Sequence, residues 1–184
     1  MPNTSMRCAL IATATLSMAT LAFSSAAVAA DGIEINELVV AKAPPSEQRE
    51  TTLRAVRAFY DFWNTGDLAL LKIAIAPTFI DHTLPPGRPQ GPTGPAFASE
   101  HFRAAVPDLK VTVEMMILAG DYVTVHMTFT GHFTGKFGKM QGKGQAIRFI
   151  ATDLVKVTNG FITDNWHIED NLTLLQAMGV AKVG

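Results

Sequence analysis

The chain has 184 residues, with 15 Lys and Arg against 16 Asp and Glu and a formal net charge of −1. Apolar residues make up 48% of it, enough to bury a sizeable core, and with neither sign of charge in surplus no nucleic-acid partner or acidic tail is expected. The single cysteine, Cys8, excludes a disulfide framework within the chain.

The first thirty residues read as a secretory leader. Arg7 is the only charge there, the apolar run "CALIATATLSMATLAF" follows, and "SSAAVAADG" supplies an Ala-x-Ala ending with cleavage expected after Ala29 or Ala30. The competing reading is an uncleaved membrane anchor, against which stand the Thr and Ser residues that interrupt the run. Cleavage would leave about 154 residues, one domain, without cysteine, in a periplasmic or secreted setting and with no further membrane contact.

Residues 31–46 read as a linker, and 47–184 as the folded domain. Pro44-Pro45-Ser46 marks a helix start, Leu53, Val56, Phe59, Tyr60 and Trp63 follow the helical period, and Asn64-Thr65-Gly66 ends it. Asp67 caps a second helix, "LALLKIAIA", closed by Pro77. The stretch "FIDHTLPPGRPQGPTGP" is extended and then irregular, the kind of long loop that is more often functional than idle. A third helix starts at Pro95. After Pro107 come four strands, "LKVTVEMMIL", "YVTVHMTFTGHF", "QAIRFIATDLVKV" and "FITDNWHI", with Asn159-Gly160 as a hairpin signal before the last. Leu172, Leu175 and Met178 then give a short terminal helix stopped by Gly179. Helices followed by an antiparallel meander imply an α+β fold, with N-terminal helices packed on a strongly curved, mainly antiparallel sheet. A cone of that kind has an open end suited to a small hydrophobic molecule.

Four segments, "FWNTGDLALL", "FIDHTLPPG" with the following "GPTG", "FTGHFTGKFGKMQGKG" and "VTNGFITDNWHIEDNLTLLQAMG", resemble in content and order the SnoaL-like polyketide cyclase (ester cyclase) family of the nuclear-transport-factor-2-like superfamily. The resemblance covers about residues 48–179. It implies a conical barrel and cofactor-independent, metal-free aldol-type chemistry, as a cyclase or, run backwards, a lyase or isomerase, on a small hydrophobic carbonyl or aromatic compound. It also implies a homo-oligomer formed through the convex sheet face. The same fold serves as a non-catalytic ligand-binding module, which is the alternative.

By that resemblance Asp170, four residues after Trp166, is the catalytic acid/base. Strand alternation puts Trp166, Ile168 and Asp170 on one face, so the carboxylate would share the cavity with the indole. The opposing reading makes Asp170 the N-cap of the terminal helix, with its pKa lowered rather than raised. His82 matches the family's Asp-His pair and is either a substrate-carbonyl contact or a loop support; Asp81 orients or caps a turn. His126 and His132 share a polar stripe with Thr124, Thr128 and Thr130 that faces either the cavity or the outside. Tyr60 and Trp63 are core residues or cavity lining. His167 alternates out of phase with Trp166 and is expected at the surface, and His101, beside Phe102 on the third helix, either at the helix surface or in packing. The Gly- and Lys-rich "GKFGKMQGKG" lacks the Gly-Lys-Ser/Thr ending of a phosphate loop and reads as a hairpin.

Overall fold

The structure, a computed structural model, describes residues 44–181. The leader over 1–30 and nearly all of the linker lie outside them. Helix α1 (Ser46–Thr65) follows Pro45 and buries Val56, Phe59, Tyr60 and Phe62. It stops because Gly66 takes a left-handed φ of 75°, where its N–H returns to the Phe62 carbonyl at 2.7 Å. Asp67 then caps α2 (Leu68–Ala74), accepting from the Ala69 N–H at 2.8 Å.

Here the structure departs from the sequence reading. Helix α2 ends before Ile75, and the chain becomes strand β1 (Ile75–Asp81) with Pro77 inside it. Proline is tolerated because β1 is an edge strand, and its pairing is irregular between Ile75 and Ile80. Helix α3 (Thr93–Ala105) also starts two residues before Pro95. Strands β2 (Lys110–Ala119), β3 (Tyr122–Phe133), β6 (Gln145–Thr158) and β7 (Phe161–Glu169) form the expected meander. Between β3 and β6 a small hairpin, β4 (Lys136–Phe137) and β5 (Met140–Gln141), accounts for the glycine-rich segment. Gly135 is needed there: a Cβ would run into the Ala104 carbonyl oxygen at the end of α3.

The sheet is therefore five-stranded and mixed, in the order β1-β7-β6-β3-β2, with β1 parallel to β7 and the other pairs antiparallel. It is curved but not closed, and the fold is α+β. The β6–β7 turn carries Asn159 at φ 53° and Gly160 at φ 77°, the paired positive angles that an Asn-Gly hairpin requires. Helices α1, α3 and α4 (Asn171–Ala177) cover the inner face, where Val123, Val125, Met127 and Phe129 of β3 meet Phe149, Ala151 and Val155 of β6. The polar stripe of β3, with Thr124 and His126, faces away from them. Among the described residues no helix is long and apolar enough to cross a membrane.

One irregularity decides the site. Lys156 pairs with Asp164 and Val157 with Ile162, so Thr163 is an extra residue in β7. A one-residue bulge exchanges the faces: Ile162 points inward before it, and Asn165, His167 and Glu169 do so after it. Trp166 and Ile168 are turned outward, and Ile168 is 76% exposed.

Candidate active site

A cavity of about 640 Å³ lies between the inner face and the helices. Most of its wall is apolar and aromatic: Phe59 and Trp63 from α1, Phe102 from α3, Met127 and Phe129 from β3, Phe149 from β6 and Leu174 from α4. Phe129 and Phe149 stack at 4.9 Å, and the Trp63 ring stands edge-on to Phe129 at 6.2 Å. These contacts fix flat surfaces rather than a loose apolar filling. The mouth is formed by the Pro85–Arg88 loop, Phe97 and His101 of α3, and Lys136–Gly138 of the hairpin.

The remaining wall is polar and is set by strand register. Asp153 of β6 lies opposite His167 of β7, and Asn165 of β7 lies opposite Asp81 of β1. All four line the cavity, together with Glu169, and each of the four is 6–7% exposed. The His167 Nε2 meets both Asp81 oxygens at 3.1 and 3.0 Å, and its Nδ1 meets Glu169 Oε1 at 2.8 Å. Arg88 adds a looser contact to Asp81 at 3.6 Å.

Burial alone would lower the His167 pKa, but the hydrogen bond and charge of Glu169, then of Asp81, outweigh it and raise it to about 9. His167 is thus an imidazolium at neutral pH, with both N–H groups donating to carboxylates. It has no lone pair to offer as a base. Glu169 is raised by burial but held below its ordinary value by the His167 hydrogen bond and charge.

Asp153 differs from the other cavity carboxylates. No cation bonds to it directly among the described residues; its Oδ2 accepts the Tyr60 O–H at 2.9 Å. Burial pushes its carboxyl up, the Tyr60 hydrogen bond and the His167 charge pull it back, and it titrates at about 7. Burial first, and then Asp153 itself, push Tyr60 well above the ordinary phenol value, so the phenol remains a donor. A second hollow of about 550 Å³, between α1 and β2, also touches Tyr60. It has no comparable cluster, and the Tyr60 hydroxyl is committed to Asp153.

The sequence-predicted residues fall largely outside this cavity. Asp170 is the N-cap of α4, accepting from the Thr173 N–H at 3.1 Å and Oγ1–H at 2.7 Å on the solvent side. These bonds hold its carboxyl below the usual value. Its neighbours Glu169 and Asn171 line the cavity and it does not. The shared face with Trp166 therefore points away from the cavity, because the Thr163 bulge reversed it. Trp166 stacks on His82 at 4.2 Å on the outer side, where His82 Nε2 meets Asp164 at 2.8 Å. His126 pairs with Thr152 at 2.8 Å on that same outer face, and His132 with Asp108 at 2.7 Å at the surface. Of the named residues, Trp63 lines the cavity and Tyr60 supports Asp153.

Conversely, His167 is buried in the site, not at the surface. Asp153, Asn165 and Glu169 received no role from the sequence reading. A signal for Asp153 was present: in β6, Ile147, Phe149, Ala151, Val155 and Val157 share its phase, and it is the one carboxylate on that apolar face.

A family model described as SnoaL-like polyketide cyclase matches residues 53–178. No protein of curated function matches the chain. Among solved structures, a candidate polyketide cyclase from Bacillus cereus ATCC 10987 is 36% identical, with a TM-score of 0.69 over 80% of this chain and 97% of that one. IdmH, a candidate polyketide cyclase from Streptomyces antibioticus, is 28% identical (TM-score 0.62, 68% and 96% covered). AclR, a candidate hydroxylase from Streptomyces galilaeus, shares the fold at 21% identity (TM-score 0.62, 75% and 88% covered). With the family model spanning most of the chain and these structures agreeing in fold, the chain belongs to the SnoaL-like polyketide cyclase family.

Proposed function

We propose that the protein is a cofactor-independent acid/base enzyme acting on a small hydrophobic carbonyl compound, with Asp153 rather than Asp170 as the proton-transfer group. One observation carries this reading: a carboxyl titrating at about 7 faces an aromatic cavity with one oxygen held by Tyr60. A base poised near the working pH accepts and returns a proton with little loss in either direction.

In the proposed cycle, ionised Asp153 takes a proton from the carbon alpha to the carbonyl. The C–H electron pair moves into the C–C bond, and the carbonyl π pair moves to oxygen, giving an enolate. The enolate then attacks a second carbonyl, closing a ring, and the resulting alkoxide takes the proton from Asp153; or, where a C=C bond is conjugated with it, the dienolate takes that proton back at the far carbon, completing an isomerisation. The His167 imidazolium offsets part of the charge of Asp81 and Glu169 around Asp153, while the Tyr60 hydroxyl holds one carboxylate oxygen in place. The leader expected over residues 1–30 supports work in a periplasmic or secreted setting. The apolar outer sheet face supports a homodimer.

Deuterium wash-in at the alpha carbon of 2-tetralone, followed by NMR on protein lacking residues 1–30, tests the assignment. Asp153→Asn is expected to slow exchange by at least about a hundredfold, and Asp170→Asn to leave it unchanged. The reverse pattern, or no exchange above buffer by the parent, removes Asp153 from the role and favours a non-catalytic binder.

A further inference from the structure

The polar wall contains one group that neither the ion-pair network nor the proposed proton transfer uses. Asn165 is 6% exposed and lines the cavity, and its Oδ1 is buried without a hydrogen-bond partner. Its backbone is fully engaged in the sheet, including acceptance of the His82 N–H at 2.8 Å. Its side-chain amide forms no hydrogen bond among the described residues. Buried amides are rarely left so, because the group loses water and gains nothing in return. Every other polar side chain of this wall is paired: Asp81 and Glu169 with His167, and Asp153 with Tyr60.

We infer that Asn165 is the ligand-anchoring residue of the cavity, and that it holds an uncharged hydroxyl on the buried end of a planar ring compound. This rests on the cavity being the ligand site, as in the proposed function, but not on Asp153 acting as a base. A hydroxyl both donates and accepts, so it satisfies the amide whichever of its two polar atoms is turned to the cavity. An anionic group is disfavoured at this end, since Asp81, Asp153 and Glu169 share the wall with it. The planar requirement comes from the Phe129–Phe149 stack and the Trp63 edge opposite it. Lys136, Phe97 and His101 are exposed at the mouth, whereas Asn165, Asp153 and His167 are buried, which gives the ligand its direction.

The test is an equilibrium titration of the parent and Asn165→Leu with 2-naphthol, 2-methylnaphthalene and 2-naphthoate. For the parent, 2-naphthol is expected to bind about five- to tenfold more tightly than 2-methylnaphthalene, the increment of one buried hydrogen bond. 2-Naphthoate should show no such gain. In Asn165→Leu the naphthol advantage should vanish while 2-methylnaphthalene still binds. Equal affinities in the parent, or an advantage that survives the substitution, overturn the inference. Should the Leu variant not fold, a crystal structure of the parent with 6-bromo-2-naphthol decides. Bromine toward Lys136 and the hydroxyl at Asn165 support the inference, and the reverse orientation overturns it. Because the readout is binding, loss of turnover in Asp153→Asn with a flat ligand panel would leave the proposed function standing and this inference rejected.

Discussion

Asp153 and Asp170 show how surroundings divide two carboxylates of one chain. Asp170 follows strand β7 as the cap of α4 and meets the N–H and O–H of Thr173, which favour its charge. Asp153 sits in an aromatic hollow, where burial favours its proton by more than the Tyr60 hydrogen bond and the His167 charge favour its ionised form. Its folded pKa, about 7, lies above the ordinary carboxylate value. That contribution to stability is therefore present in acid and lost as pH rises through about 7. His167 loses its contribution later, as pH rises from its ordinary value through about 9. Asp153→Asn, which has no charge to bury, should be more stable than the parent at about pH 8, on the order of 2 kcal/mol by urea unfolding. Equal stability there would mean that Asp153 is better solvated than its position implies. With a base titrating near 7 and an imidazolium near 9, kcat/KM is expected to rise through the first value and fall through the second. His167→Gln should move the acid limb to higher pH, since a neighbouring cation no longer favours the ionised carboxylate. A limb that stays put would exclude that coupling.

At the scale of elements, the Asp170 cap is structural. Asp170→Ala should lower stability, read as a reduced midpoint in thermal or urea unfolding, while turnover stays intact. Most elements could be read from the chain because their signals are local: the Gly66 stop, the Asp67 cap, the Asn159-Gly160 turn and the alternation of β3 and β6. Strand β1 was hidden because its pairing with β7 spans the whole fold and it contains Pro77, which argues against a strand when context is missing. The site was read on the wrong face for two reasons. Alternation in "FITDNWHI" holds only on either side of Thr163, and the bulge there, which exchanges the two faces, depends on pairing with β6. In addition, the large apolar Trp166 and Ile168 invited an inward assignment, whereas they belong to a second apolar surface.

That second surface is a property of the whole molecule. The outer sheet face exposes Met115, Ile117, Ile150, Leu154 and Ile168, at 38–76% of their full accessibility. They lie on either side of the polar Thr124 and His126 stripe of β3, and exposed apolar side chains in this number support the proposed homodimer. Replacing Leu154 and Ile168 together with Glu should shift the mass measured by light scattering from dimer to monomer without loss of ligand affinity. A parent that is already monomeric at high concentration would refute the dimer. At the opposite side of the sheet, the Gln90 side chain is fastened to the Asp81 backbone by two hydrogen bonds, of 2.9 and 2.8 Å. Its Oε1 also takes the Gly91 N–H at 2.7 Å. The proline-rich segment at the mouth is thereby riveted to the strand that carries the ion-paired carboxylate. That fastening fixes one side of the cavity mouth, so on the proposed function ligand entry is expected to follow single-step kinetics with no closing phase.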